Sequence, residues 1–325
     1  MENPVRTSTL YVVENAKEVK INKEAVKKIA KEWAKEEIPE SQWPKEMHLE
    51  TDDEQALLTY LIILDSVNFC FWSERERWRI TYNGKKYDGY FALSLALKKF
   101  FEENPQKGTF EYLAEISYEE YLEILQGGEN LLFLKERWEN IQDVSQAMVR
   151  EHNGDVRTFV SEAEKKCELL VKKIAELPSF DDDAIYNGQK VYFWKRAQIL
   201  AADIWGAFDG KGMGELQDRN WLTVFADYKI PQILSHVGIL EYSDRLKKKI
   251  EDKEKLQQGE KEEVEIRAAT IWAAENLKNE MSSEYLKDKM GSKGKGLPAF
   301  ELDWFLWNKA QGIQAPYHFT RTIHY

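Results

Sequence analysis

Cysteine is nearly absent from this 325-residue chain. Cys70 and Cys167 are its only two, too few for a disulfide framework or for a four-ligand zinc site built from thiolates. Glycine and proline are scarce as well, at 17 and 8 residues, which argues against a turn-rich all-β fold. Long hydrophobic runs are missing; the longest apolar stretches, such as Leu61 to Leu64, are far too short to span a bilayer, so no membrane role is expected. The start, Met-Glu-Asn-Pro, has no basic segment leading into an apolar one, and a cytoplasmic, reduced setting is expected. Positive charge is in deficit: 46 lysines and arginines face 57 acids, for a net charge of −11. Duplex or tRNA binding usually leaves a basic footprint, so a nucleic-acid reader is disfavoured, whereas a small phosphorylated ligand needs only one or two cations. What is there, 43% hydrophobic and 32% charged residues, is the composition of a folded globular chain large enough to bury a core unaided.

Helical periodicity dominates. Apolar residues recur at three and four positions over 21–37 (Ile21, Ala25, Val26, Ile29, Trp33), stopping near Pro39, and again over 55–67. One β signal interrupts: Trp78-Arg-Ile-Thr-Tyr, then Asn83-Gly84, predicts a small hairpin. Helices are expected at about 89–103, 117–126, 130–150 and 155–176, then at 190–208, 231–250, 256–280 and 299–310. A loop from Pro178 to Gly188 separates a helical half, about 1–177, from a second one, about 189–325. With no linker or repeat between them, a single mostly α domain spanning 1–325 is expected.

Generic motifs are missing too: there is no P-loop, no His-Glu-x-x-His, no Gly-x-Ser-x-Gly and no dinucleotide fingerprint. Gly210-Lys-Gly-Met-Gly follows a helix instead of a strand and reads better as a loop between helices than as a phosphate cradle. The five histidines show no i, i+4 pairing for a metal. Cys70, inside an apolar run, reads as an inert core residue.

Four segments stand out. Asp203 interrupts the apolar stripe Trp194, Ala197, Ala201, Ile204, Phe208, where a carboxylate needs a partner; Lys195 and Arg196 are candidates, and a buried bridge competes with a functional role. Pro231 fits the first position of a helix, which places Asp227 just before a helix N-terminus amid Trp221, Phe225 and Tyr228. The positive helix end should keep that carboxylate ionised between aromatic walls, as a glycosyl oxocarbenium transition state requires; an ordinary helix cap is the competing reading. Asp303 sits inside the otherwise apolar Leu302-Asp-Trp-Phe-Leu-Trp-Asn308. The tail, Pro316 to Tyr325, is too aromatic for a loose end and should dock on the body, bringing Arg321 and His318 near other elements.

These segments carry a resemblance to the queuosine salvage proteins, the queuosine 5′-phosphate N-glycosylases. It covers most of the chain through Asn68-Phe-Cys-Phe-Trp72, Gly89-Tyr-Phe-Ala-Leu, the run from Arg196 to Trp205, the run from Leu222 to Gln232, Glu265-Ile-Arg-Ala-Ala and the terminal Pro-x-His-x-Thr-Arg-Thr-Ile-x-Tyr. The resemblance implies an all-α fold similar to helix-hairpin-helix DNA glycosylases. It also implies hydrolysis of queuosine 5′-monophosphate to queuine and ribose 5-phosphate, with neither metal nor cofactor and no protein partner required. Carried over, it makes Asp227 the catalytic carboxylate and Phe225 a base-stacking wall, with Asp303 and Trp304 reading the edge and face of the 7-deazaguanine and Asn308 one turn further on. For the 5′-phosphate, Lys195, Arg196, Lys229 and Arg321 are the candidate cations, and Lys229 is preferred because it neighbours Asp227. Two other classes compete. A base-excision glycosylase on DNA or RNA should carry basic surface, and a non-catalytic helical adaptor has no need for acids embedded at both Asp227 and Asp303.

Overall fold

Asparagine and proline at the first turn start the chain as a helix: Asn3 accepts from the Arg6 N–H, and Pro4 opens Pro4–Asn15. The computed structural model describes residues 3–36, 43–74, 76–288 and 297–325. Helices make up most of them, as expected, and in the described residues no helix is long and apolar enough to cross a membrane. Two compact units emerge, and they do not follow the expected halves. One comprises Met1–Gln42, Asp182–Lys195 and Asp218–Arg321; the other comprises Trp43–Asp181, Arg196–Gln217 and Thr322–Tyr325.

The first unit is organised by one long helix, Lys261–Asp288, that is buried nearly all round through Val264, Ile266, Ala269, Ile271, Ala274 and Leu277. Pro4–Asn15 and Lys23–Trp33 pack against it; Asn22 caps the latter through the Glu24 and Ala25 N–H groups, and Val26, Ile29 and Trp33 form its buried stripe. Lys229–His236 and Ala299–Gln311 pack on each other and on the same long helix. Short strands tie distant segments: Val19–Ile21 pairs antiparallel with Leu240–Tyr242, and Lys255–Leu256 pairs parallel with Phe319–Thr320.

In the second unit Glu54–Ser66 is the buried helix, surrounded by Gly89–Glu103, Leu134–His152 and Val156–Ser161. Two guanidiniums fasten the chain where that helix ends. Arg137 donates to the carbonyls of Val67, Phe69, Cys70 and Leu132, and Arg196 to those of Asp65, Ser66 and Ser179. Both lie over the Phe69 ring, at 4.2 and 5.2 Å.

Several expected elements are corrected. The hairpin at Asn83-Gly84 forms, with both turn residues at positive φ. It is not the only one: among the described residues there are four two-stranded pairings. Asp183–Tyr186 and Gln189–Tyr192 form a second hairpin on Asn187-Gly188, so the expected loop to Gly188 is partly strand and the expected helix from 190 begins at Lys195. The expected helix 155–176 is two, Val156–Ser161 and Cys167–Ala175, broken where Glu164 and Lys165 take positive φ. That at 231–250 is also two, Lys229–His236 and Asp244–Glu251, parted at Gly238 by a φ of 78°. The helix 21–37 is described as Lys23–Trp33; its expected end and Pro39 lie outside the described residues.

Arg196, 1% exposed, therefore serves backbone carbonyls. Lysine would keep the charge but reach fewer of them, at a cost of about 1–3 kcal/mol for each carbonyl left without a donor. Arg196→Lys is expected to lower the urea midpoint with an unchanged m-value; an unmoved midpoint would refute the anchoring role.

Candidate functional site

The site begins with a loop that leaves no regular structure, Leu222 to Tyr228, feeding the Lys229–His236 helix. That helix starts two residues before Pro231, not at it. Asp227 stands at its mouth, partly exposed, and its Oδ1 accepts the Lys229 and Ile230 N–H groups at 2.7 and 2.9 Å. It is thus a helix cap, but with one oxygen only. Its Oδ2 accepts no hydrogen bond from any described residue.

Asp303 is built the same way. It projects from the Ala299–Gln311 helix among buried Leu302, Phe305 and Leu306, is itself buried, and its Oδ1 accepts the Phe225 N–H at 2.7 Å. Its Oδ2 takes no hydrogen bond from the described residues either. Burial raises the Asp227 pKa above the usual carboxylate value, against the pull of Lys195, the two amides at the helix start and Lys229. Asp303 is raised well above that range, by burial first and then by the negative charge of Asp227, with the Phe225 amide and Lys195 opposing.

Aromatic residues wall this region. Tyr228 stacks on Tyr317 with centroids 5.1 Å apart, and Tyr317 meets Phe319 edge-on at 4.9 Å. Lys229 is buried, donates from Nζ to Gln232 Oε1 at 3.2 Å and lies 5.4 Å above the Tyr317 ring. The tail is docked, as expected: Gln232 donates to the Ala315 carbonyl, and His318 is buried, its pKa pushed down to about 3 by burial and by Arg267.

Of the residues singled out by sequence, Asp227, Phe225, Tyr228, Lys229, Asp303, Trp304, Asn308 and Arg321 belong to one unit. Phe225 is buried and holds Asp303 through its main chain. Trp304 is half-buried, edge-on to Phe300 at 5.3 Å, while Asn308 and Arg321 are exposed. Arg196 and Asp203 belong to the other unit, where Arg196 is spent on carbonyls and Asp203 accepts from the Tyr90 hydroxyl at 3.2 Å, a partner the sequence did not suggest. Two buried residues beside Asp227, Lys195 and Arg267, have roles that the sequence alone does not give. Lys195 was weighed only as a phosphate cation or a partner for Asp203. Arg267, within Glu265-Ile-Arg-Ala-Ala, donates from Nε to the Ala226 carbonyl and forms a two-pronged ion pair with Asp182. Among the described residues, no group of three or more His, Cys, Asp or Glu is arranged to hold a metal ion.

The family described as "Queuosine salvage protein" matches residues 47–325. A protein of Sphaerobacter thermophilus named queuosine 5′-phosphate N-glycosylase/hydrolase is 40% identical over 99% of this chain and 97% of its own length. Proteins of the same name from Mus musculus and Schizosaccharomyces pombe are 32% and 29% identical, over 98% and 94% of this chain and 98% and 90% of their own lengths. With the family matched over most of its length and such relatives aligned almost end to end, this chain belongs to the queuosine salvage protein family.

Proposed function

We propose that the protein hydrolyses the N-glycosidic bond of queuosine 5′-monophosphate, releasing queuine and ribose 5-phosphate for salvage into tRNA. One observation carries the assignment to residues: two neighbouring carboxylates, Asp227 and Asp303, each have Oδ1 fastened by main-chain amides and Oδ2 taken by no described residue. Two such acids have different tasks. In a 7-deazapurine, position 7 is carbon, so protonation there cannot help the base leave. The enzyme must instead stabilise the ribosyl cation and activate water. Asp227 does both: it faces the positive charge at C1′ and takes a proton from the attacking water. The electron pair of the C1′–N bond goes to the base nitrogen, which ends up protonated, so that water is divided between sugar and base. Asp303 accepts the N–H donors on the Watson–Crick edge of the base, with Phe225 and Trp304 as faces and Asn308 a turn away.

Lys229 is assigned to the 5′-phosphate because it follows the catalytic carboxylate and is buried; Lys195, the largest cationic influence on Asp227, is the second cation. Arg196 and Asp203 support the fold of their own unit, and Arg321 remains a third, exposed cation. The whole chain is read as one N-glycosylase domain on a scaffold of the helix-hairpin-helix glycosylase kind. It is read as a cytoplasmic enzyme needing no cofactor, nucleic acid or obligate protein partner. The net charge of −11 speaks against a base-excision enzyme gripping duplex DNA.

Three outcomes are expected. Asp227→Asn keeps the shape and the capping acceptor and removes a carboxylate whose pKa the fold raises, so melting should be no lower than wild type while kcat falls roughly 10²–10⁴-fold. Activity within threefold of wild type would end the assignment. Because burial raises the Asp227 pKa, kcat/KM should fall on the acid side with a midpoint above the ordinary aspartate value, as protonation removes the base; a profile flat down to that value would contradict it. Lys229→Ala should lower kcat/KM for the monophosphate while sparing the nucleoside. A preference left intact there but lost in Lys195→Ala would move the phosphate to Lys195.

A fourth concerns Asp303. Its pKa is raised in the fold, so ionisation destabilises the folded state above that pKa, and the penalty vanishes at pH values below the unfolded pKa, where the group is neutral in both states. Asp303→Asn should therefore melt higher than wild type near neutral pH, lose that advantage in acid, and bind queuine more weakly. Wild-type affinity for queuine in this variant would sink the base-reading role.

A further inference from the structure

Arg267 and Asp182 are 2% and 1% exposed, and their pairing is two-pronged: Nη1 to Oδ1 at 2.8 Å and Nη2 to Oδ2 at 2.6 Å. A third guanidinium donor is also committed, Nε to the Ala226 carbonyl at 3.1 Å, the peptide group joining Ala226 to Asp227. Asp182 in turn holds the other side of the site. Its Oδ2 accepts the Lys195 N–H at 3.0 Å, and its own carbonyl accepts the Phe193 and Trp194 N–H groups at 3.0 and 3.1 Å. The residue between those anchors, Trp194, sits at a φ of 48°, a conformation a bulky side chain adopts only when its surroundings impose it. Phe193 closes the arrangement, its ring centre 3.9 Å from the guanidinium carbon. Glu263, one turn earlier on the long helix, lies 3.7 Å from Nη1, and neutral His318 faces the same guanidinium.

We infer that Arg267 and Asp182 form a positioning pair, which never touches substrate but fixes Asp227 and Lys195 relative to each other. Arg267 fixes the peptide that precedes the carboxylate, and Asp182 fixes the main chain that presents the cation. A fork with five donors in one plane can satisfy Asp182 and the Ala226 carbonyl together; an ammonium cannot. The inference rests on the reading of Asp227 as the catalytic base.

The test is a double-mutant cycle between Arg267→Lys and Asp227→Asn, in single turnovers with excess enzyme, alongside queuine affinity and melting temperature. Arg267→Lys alone should lower the rate at least about tenfold with queuine affinity within about threefold, because displacement of a reacting group acts on the chemical step. In the Asp227→Asn background the same change should have no further effect, since the group it positions is gone. A purely structural role would instead reduce both backgrounds by the same factor, and that outcome, or a single variant as fast as wild type, overturns the inference. If Arg267→Lys does not fold, Asp182→Asn takes its place in the cycle, judged by the same two outcomes. Should Asp227→Asn prove fully active, the assignment of Asp227 as catalytic base fails at that point, before the cycle is read.

Discussion

A guanidinium that enters a protein core must find acceptors there, because it cannot shed its charge. Among the described residues three are fully buried: Arg137, Arg196 and Arg267. Each is used where a helix ends or the backbone is irregular, adding donors to the carbonyls there. In one unit Arg137 and Arg196 gather the carbonyls that follow the buried Glu54–Ser66 helix, at its negative end, so charge and hydrogen bonding agree. In the other, Arg267 joins a carboxylate and a loop carbonyl from different parts of the chain. Asp227, the candidate catalytic carboxylate, follows directly on the carbonyl that Arg267 holds.

The two open carboxylates show the opposite economy. Neither Asp227 nor Asp303 is fully satisfied by its described surroundings, and both have their pKa raised by burial. A fold selected for stability alone would place an amide or an apolar group at Asp303, where ionisation is opposed by burial and by a like charge. Keeping both acids close is intelligible when a cationic or N–H-rich ligand completes them. Lys195 offsets part of the penalty, since it draws both pKa values down. Its backbone amide is anchored by Asp182, so the counter-charge is carried on a fixed stem.

Much of this was legible in the residues, and the gaps have physical causes. Asn83-Gly84 announced its hairpin because strong alternating residues flank it; Asn187-Gly188 carries the same turn chemistry but was masked by the Asp181–Asp183 run and by aromatics at helical spacing. The helix break at Glu164 and Lys165 left no trace, since ordinary charged residues there take a left-handed conformation that tertiary packing imposes. Asp227 and Asp303 are legible as candidates because acids amid apolar residues are conspicuous. Arg196 is conspicuous for the same reason, but one sequence cannot say whether a buried cation faces a ligand or, as Arg196 does, backbone carbonyls. Arg267 lies within the Glu265-Ile-Arg-Ala-Ala motif, but its partners, Asp182 and Ala226, are 85 and 41 residues away, so the sequence alone gives it no role.

Asp227 shows why a structural and a catalytic reading of one side chain need not compete. Capping uses Oδ1: two amides at the helix start bind it and fix the carboxylate plane. That fixation points Oδ2 in a set direction, which a mobile carboxylate could hold only by surrendering rotamer freedom during the reaction. The amides also lower the pKa while burial raises it, so the acid remains ionisable and is still more basic than one in water. A proton acceptor at a developing cation needs both properties. The helix start supplies the orientation, the buried surroundings supply the basicity, and the same two amide bonds keep the second from abolishing the charge.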